Sequence, residues 1–129
     1  LPVADGRADL LTNVFSPLCH QEFARVVRPG GRFYYVVPSA RHLWEMKEVL
    51  YARPYENQVR REDYPGFRWL EAVPLRYTVQ LDSAKEIMAL FGMTPYAWKT
   101  PKDGVARLAA LEALEVQVGF DVHVYQRRR

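Results

Sequence analysis

The sequence predicts an α/β fold, a mostly parallel sheet with one antiparallel strand, and three observations lead there. Two apolar runs, residues 10–14 and 33–37, flank a helical pattern and a Pro-Gly-Gly break. Further helical patterns then surround one long aromatic and β-branched stretch at residues 67–81. The chain closes on Val116, Val118, Phe120, Val122 and Val124, which alternate strictly with Gln117, Gly119, Asp121, His123 and Tyr125.

Taken in order, Leu10, Leu11 and Val14, bounded by Phe15-Ser16-Pro17, suit a buried strand. Ser16 is a good N-cap and Pro17 suits the first helical position, where its missing N–H costs nothing. The spacing therefore predicts a helix with Leu18, Phe23, Val26 and Val27 facing inward and Glu22, Arg25 and Arg28 facing solvent. Pro29-Gly30-Gly31 reads as its stop, and residues 33–37 as a strand covered on both faces. Strand, helix, strand with short connections is a βαβ unit, a right-handed crossover in a parallel sheet. Ligands of such sheets bind beyond the carboxyl ends of the strands, so chemistry is expected at the tips Phe15-Ser16-Pro17 and Pro38-Ser39.

Ser39 reads as the cap of a helix from Ala40 to about Tyr51, with Leu43, Met46 and Leu50 inward and His42 in the first turn, within reach of the crevice. In residues 52–66 the periodicity dissolves into a long surface connection. Arg53, Arg60 and Arg61 there interleave with Tyr55 and Tyr64, a combination suited to single-stranded RNA, although Glu56, Glu62 and Asp63 dilute it and a solvated loop is the plainer reading. Pro74 within residues 67–81 implies an edge, a bulge or a break. Ser83 and Glu86 form a capping box before Ile87, Met88, Leu90 and Phe91, with Gly92 as the stop. In the aromatic turn Met93-Thr94-Pro95-Tyr96-Ala97-Trp98, Tyr96 and Trp98 read as core aromatics with polar handles or as walls of a base pocket. Val105, Leu108, Leu111 and Leu114 predict a last helix starting at Lys102. The final strand would present its polar face, His123 included, to a structural or solvent role, and its strict alternation after a helix is typical of an antiparallel member.

A chain of 129 residues, 49% hydrophobic with three Trp, eight Tyr and six Phe, can bury one sizeable core. Its net charge of +3 allows a nucleic-acid partner without requiring one, and the Arg127-Arg128-Arg129 tail reads first as a solvated end. The single cysteine, Cys19, excludes an internal disulfide, and no apolar run approaches the roughly 20 residues that span a bilayer, so no membrane partner is expected and the cytoplasm is the simplest compartment. The opening Leu1-Pro2-Val3-Ala4-Asp5-Gly6 reads as cut from something longer. Cys19 and His20 are adjacent with no metal-ligand spacing around them, so no metal is expected, and no P-loop, G-x-G-x-x-G or G-x-S-x-G is present. The residues alone describe half of an α/β ligand-binding domain without its glycine loop.

Leu1-Pro2 with Asp5-Gly6 and Asp9, followed by Arg25-Val26-Val27-Arg28-Pro29-Gly30-Gly31, resembles the middle of a class I S-adenosylmethionine-dependent methyltransferase, where such phrases precede the fourth and fifth strands. Residues 38–47 (PSARHLWEMK), 93–98 (MTPYAW) and 121–127 (DVHVYQR) are similar to the 23S ribosomal RNA guanine-N1 methyltransferases, and the likeness covers essentially the whole chain. The resemblance implies the C-terminal half of a Rossmann-like sheet, with residues 1–129 a partial methyltransferase domain whose zinc finger and glycine-rich cofactor loop lie upstream. It implies S-adenosylmethionine as cofactor, zinc only in that upstream region, 23S rRNA as partner, and a chain inactive by itself. It further implies that His42 contacts the cofactor and that Leu1 and Pro2 border its adenine. Phe15, Ser16 and Pro17 fall where the substrate nucleophile is held, and their departure from Asn-Pro-Pro-Tyr argues against an exocyclic adenine amine; Tyr96 and Trp98 become walls of the guanine pocket. No general base is assigned, and the available carboxylates Asp5, Asp9 and Glu45 each read equally as solvated or structural. A class I enzyme acting on a small molecule and a non-catalytic binding or dimerisation module are the alternatives. A sheet without its first strands exposes an edge and an apolar face, so a homodimer, a swapped element or marginal stability is expected.

Overall fold

The computed structural model describes residues 1–129. The elements run β1 (Ala8–Val14), α1 (His20–Val26), β2 (Val27–Pro38), α2 (Trp44–Leu50), β3 (Phe67–Leu81), α3 (Ala84–Gly92), a 3-10 turn (Pro95–Trp98), α4 (Lys102–Ala109) and β4 (Leu114–Arg127). They make a four-stranded mixed sheet in the order β1-β2-β4-β3. β1 is parallel to β2 and β4 is antiparallel to it, as the sequence predicts. β1 lies at an edge, and its Leu10 and Val14 are 50% and 56% exposed.

Residues 1–39, 58–75 and 120–129 form one compact unit, and residues 40–57 and 76–119 a second. The first is built on Val26, Val27, Phe33, Phe67 and Tyr125. Phe33 is its hub, with ring centroids at 5.2 Å from Phe23, 5.3 Å from Phe67 and 5.5 Å from Tyr125. Each such pair adds about 0.5–1.5 kcal/mol beyond the area it buries. In the second unit Met46, Leu50, Ile87, Phe91, Leu108 and Val116 are buried. Helix α4 approaches α2 so closely that a Cβ on Gly104 would lie 2.1 Å from the Leu50 carbonyl oxygen.

Several boundaries differ from the sequence reading, each for a local reason. Helix α1 starts at His20, not Pro17: its first turn closes with the Phe23 N–H on Cys19 O at 3.0 Å, while the Pro17 carbonyl accepts from Asn13 Nδ2 at 3.1 Å. Pro29-Gly30-Gly31 is no helix stop but the first half of β2; Gly30 takes φ +80 and the pairing with β1 shifts register between Ala8 and Leu10. Helix α2 starts at Trp44, not Ala40, because the Leu43 N–H donates to Gln117 O at 2.8 Å and Leu43 sits at φ 54. Helix α4 ends at Ala109, and Leu114 opens β4 instead. The capping box forms as expected: the Glu86 N–H donates to Ser83 Oγ at 3.1 Å, and Glu86 Oε2 accepts from the Asp82 N–H at 2.8 Å. The supposed polar face of β4 is buried, with Asp121 at 7%, His123 at 2% and Tyr125 at 1% exposure.

Candidate functional site

The tip of β1 is held in place from two sides. The Phe15 N–H donates to Val36 O at 3.2 Å and its ring meets Phe120 edge-on at 5.0 Å, which fixes the non-glycine residue at φ 53. A left-handed conformation of this kind costs about 1–3 kcal/mol and persists only where the surroundings impose it. Phe15, Ser16 and Pro17 are exposed. Beneath them Asn13, 4% exposed, spends its amide on Pro17 and leaves Oδ1 as a buried side-chain oxygen without a partner.

Arg25, which the helical spacing assigns to solvent, instead clamps the opening segment. Its guanidinium donates to Val3 O at 2.8 Å, Asp5 Oδ1 at 2.7 Å and Leu1 O at 3.0 Å, and its own carbonyl accepts from the Gly6 N–H at 2.8 Å. The hydrogen bond from Arg25 is also the main reason the Glu22 carboxyl is pulled down to about 2. Leu1 and Pro2 stand exposed on the segment so fixed. All three carboxylates considered as bases are engaged: Asp5 with Arg25, Asp9 with Arg28 at 2.7 Å, and Glu45 with the Gln117 N–H at 2.6 Å.

In the second unit, His42 Nδ1 accepts from the Gly119 N–H at 3.1 Å. Burial, with the nearby Lys47 charge second, pushes this imidazole down to about 4, so it is neutral at pH 7 with its proton on Nε2. The structure separates the two aromatics of the 93–98 turn. Tyr96 packs edge-on to Tyr51 at 6.3 Å, bonds Asn57, and is pushed up to about 12, chiefly by burial. Trp98 is no core aromatic: it is 89% exposed, and Met93 83%. Lys47 is fully buried with Nζ donating to Tyr55 O and Asn57 Oδ1, each at 3.0 Å, below the faces of Tyr55 and Tyr96.

The first unit also contains an open cavity of about 230 Å³ between its sheet, represented by Tyr35, His123 and Tyr125, and Gln58, Arg60 and Tyr64 of the long connection. Tyr35 lies directly across from His123 in the β2–β4 register, and Phe33 across from Tyr125, so these side chains share one face. The sequence marks Arg60 and Tyr64 by their interleaved composition. It hides the sheet side, because an alternating Asp, His and Tyr reads as a solvent face. No group of three or more His, Cys, Asp or Glu could hold a metal ion, and no helix is long and apolar enough to cross a membrane.

No protein-family profile matches the chain. A Bacillus subtilis protein provisionally named a 23S rRNA (guanine-N1)-methyltransferase is 32% identical over 126 residues, which are 94% of this chain and 44% of that protein. A Micromonospora griseorubida protein with the same provisional name is 37% identical over 121 residues, 86% of this chain and 39% of its own length. The 23S rRNA (guanine 748-N1)-methyltransferase of Streptomyces fradiae is 32% identical over 130 residues, 95% of this chain and 46% of its own length. Over most of its length this chain is similar to three proteins named as 23S rRNA guanine-N1 methyltransferases. It spans under half the length of these curated relatives, 39–46%. The fold agrees: a crystal structure from Bacillus halodurans, provisionally described as a methyltransferase, superposes at TM-score 0.51 and 15% identity, covering 100% of this chain and 68% of that one. The YcgJ protein of Bacillus subtilis does so at TM-score 0.52 and 14% identity with the same coverage, 100% and 68%.

Proposed function

We propose that this chain is the C-terminal part of an S-adenosylmethionine-dependent enzyme that methylates N1 of a guanine in 23S rRNA, working in the cytoplasm where ribosomes are assembled. The observation that carries this reading is 32–37% identity, over 86–95% of the chain, to three proteins named for that reaction. Activity belongs to the longer protein; residues 1–129 by themselves are inactive. The exposed edge of β1 supports pairing with a further strand, from the rest of that protein or from a second copy of this chain.

Within each unit, taken by itself, the residues present have the character that contact with a cofactor or a base requires. Leu1 and Pro2 are exposed on a rigid segment, as an adenine-bordering wall requires. His42 is neutral, so it can stand beside a cationic cofactor without like-charge repulsion. The cofactor, when bound, supplies a methyl group on a sulfonium centre. The strained tip Phe15-Ser16-Pro17 positions the target base, and Trp98 offers an exposed ring on which an RNA base stacks. Positioning of this kind supplies most of the catalysis in an in-line displacement. Tyr96 supports that turn from within, through Tyr51 and Asn57. Asp5, Asp9 and Glu45 each hold a bond within the chain, and none is assigned the N1 proton.

Methylation of N1 blocks the Watson–Crick edge and halts reverse transcription. The longer protein, incubated with unmodified 23S rRNA and cofactor, is expected to create a new stop at a guanine that is absent when the cofactor is withheld. No stop and no methyl incorporation into RNA overturns the proposal.

A further inference from the structure

The cavity of the first unit is lined by none of the residues named above for the cofactor or the target base, and its chemistry is specific. Three tyrosines, Tyr35, Tyr64 and Tyr125, supply ring faces around a space of about 230 Å³. Tyr64 and Tyr125 are tilted rings 5.3 Å apart whose side chains are hydrogen-bonded, so the wall is braced before any ligand arrives. His123 contributes a donor of fixed identity. The indole N–H of Trp69 donates to His123 Nδ1 at 3.1 Å, and an indole nitrogen cannot accept, so the neutral imidazole carries its proton on Nε2. Burial keeps that ring neutral by pushing its pKa down. At the mouth, Gln58 offers an amide that both donates and accepts, and Arg60 an exposed guanidinium whose only ion pair is a loose one, 3.8 Å from Glu62.

We propose that this cavity binds an unstacked nucleobase of the RNA substrate other than the methylated guanine, between the tyrosine rings, with a base carbonyl on His123 Nε2 and the adjoining phosphate on Arg60. Single-stranded RNA is recognised in this manner, by splayed bases stacked on aromatic rings and read along their edges. Single Lys or Arg contacts to phosphate add affinity without sequence preference. The Arg60, Arg61 and Tyr64 pattern in the long connection thereby gains a partner in the sheet. The inference rests on the proposed RNA substrate, and its test separates the two.

The longer protein is titrated with a 23S rRNA fragment containing the target guanine, and methyl transfer to the same fragment is measured. Tyr64→Ala is expected to weaken RNA binding about tenfold or more, as loss of one stacking contact does. Tyr64→Phe, which keeps the ring and loses only the bond to Tyr125, is expected to retain most of the binding that Tyr64→Ala loses. Arg60→Ala is expected to weaken binding less and to lower the salt dependence by about one phosphate contact. Cofactor affinity stays unchanged in all three, which also reports that they are folded. If the parent binds and methylates the fragment while Tyr64→Ala and Arg60→Ala do so equally well, the cavity proposal is wrong and the RNA substrate stands. If the parent neither binds nor methylates the fragment, both proposals fall.

Discussion

Lys47 and His123 are both buried ionisable side chains, at 0% and 2% exposure, and they differ in what burial leaves unfinished. Lys47 has two of its three ammonium donors on Tyr55 O and Asn57 Oδ1 and the faces of Tyr55 and Tyr96 over the charge, so its partners all come from its own unit. His123 spends one nitrogen on Trp69 and keeps the other on a cavity wall. The fold thus completes one of these groups internally and sets the other beside a cavity, which marks the first as structural and the second as a place for a partner.

The largest way to break that contrast is Lys47→Ala. It removes a buried stem and strands the Tyr55 carbonyl, and is expected to cost about 4 kcal/mol in denaturant unfolding. Lys47→Met, which keeps most of the volume, should recover part of that loss. A Met variant as stable as the parent would mean that the caps on Lys47 contribute nothing.

Acid comes next. His42 is held at about 4 against 6.5 in the unfolded chain, so between those values the unfolded state takes up a proton that the folded state refuses. Stability is therefore full above pH 6.5 and falls as pH drops toward 4, by up to about 3 kcal/mol. His123, also shifted down, acts in the same direction. His42→Gln keeps an acceptor for the Gly119 N–H and should flatten the fall, and an unaltered pH profile would remove His42 as its cause. Gly104→Ala drives a methyl into the Leu50 carbonyl and is expected to cost about 2 kcal/mol. At the small end, Trp98→Ala should change stability by less than about 0.5 kcal/mol while reducing RNA binding, because the ring is 89% exposed. A large stability loss there would give Trp98 a packing role.

Periodicity and capping made most of the fold legible. The strand-helix-strand opening, the Ser83–Glu86 box and the closing antiparallel strand all follow from patterns within a few residues of one another. What stayed hidden depends on partners distant in the chain. Nothing near Leu43 announces that Gln117 will draw its N–H and delay α2 to Trp44. Nothing near Pro17 shows that Asn13 will take its carbonyl. Pro29-Gly30-Gly31 reads as a stop because those residues end helices; Gly31 is needed instead for close passage, where a Cβ would lie 2.7 Å from Val27 Cγ1. The candidate site was legible in part. His42 and the tip Phe15-Ser16-Pro17 were marked by their place after a strand. Arg25, which fixes Leu1 and Asp5, was lost among ordinary surface charges.

The most direct test of the central claim is the content of 1-methylguanosine in 23S rRNA from cells with the gene intact, deleted, and restored either whole or without the codons for residues 1–129. The account predicts the modified nucleoside at one guanine in the intact and fully restored cells, and its loss in the deletion and in the truncated restoration. An unchanged modification level in the deletion strain would contradict it.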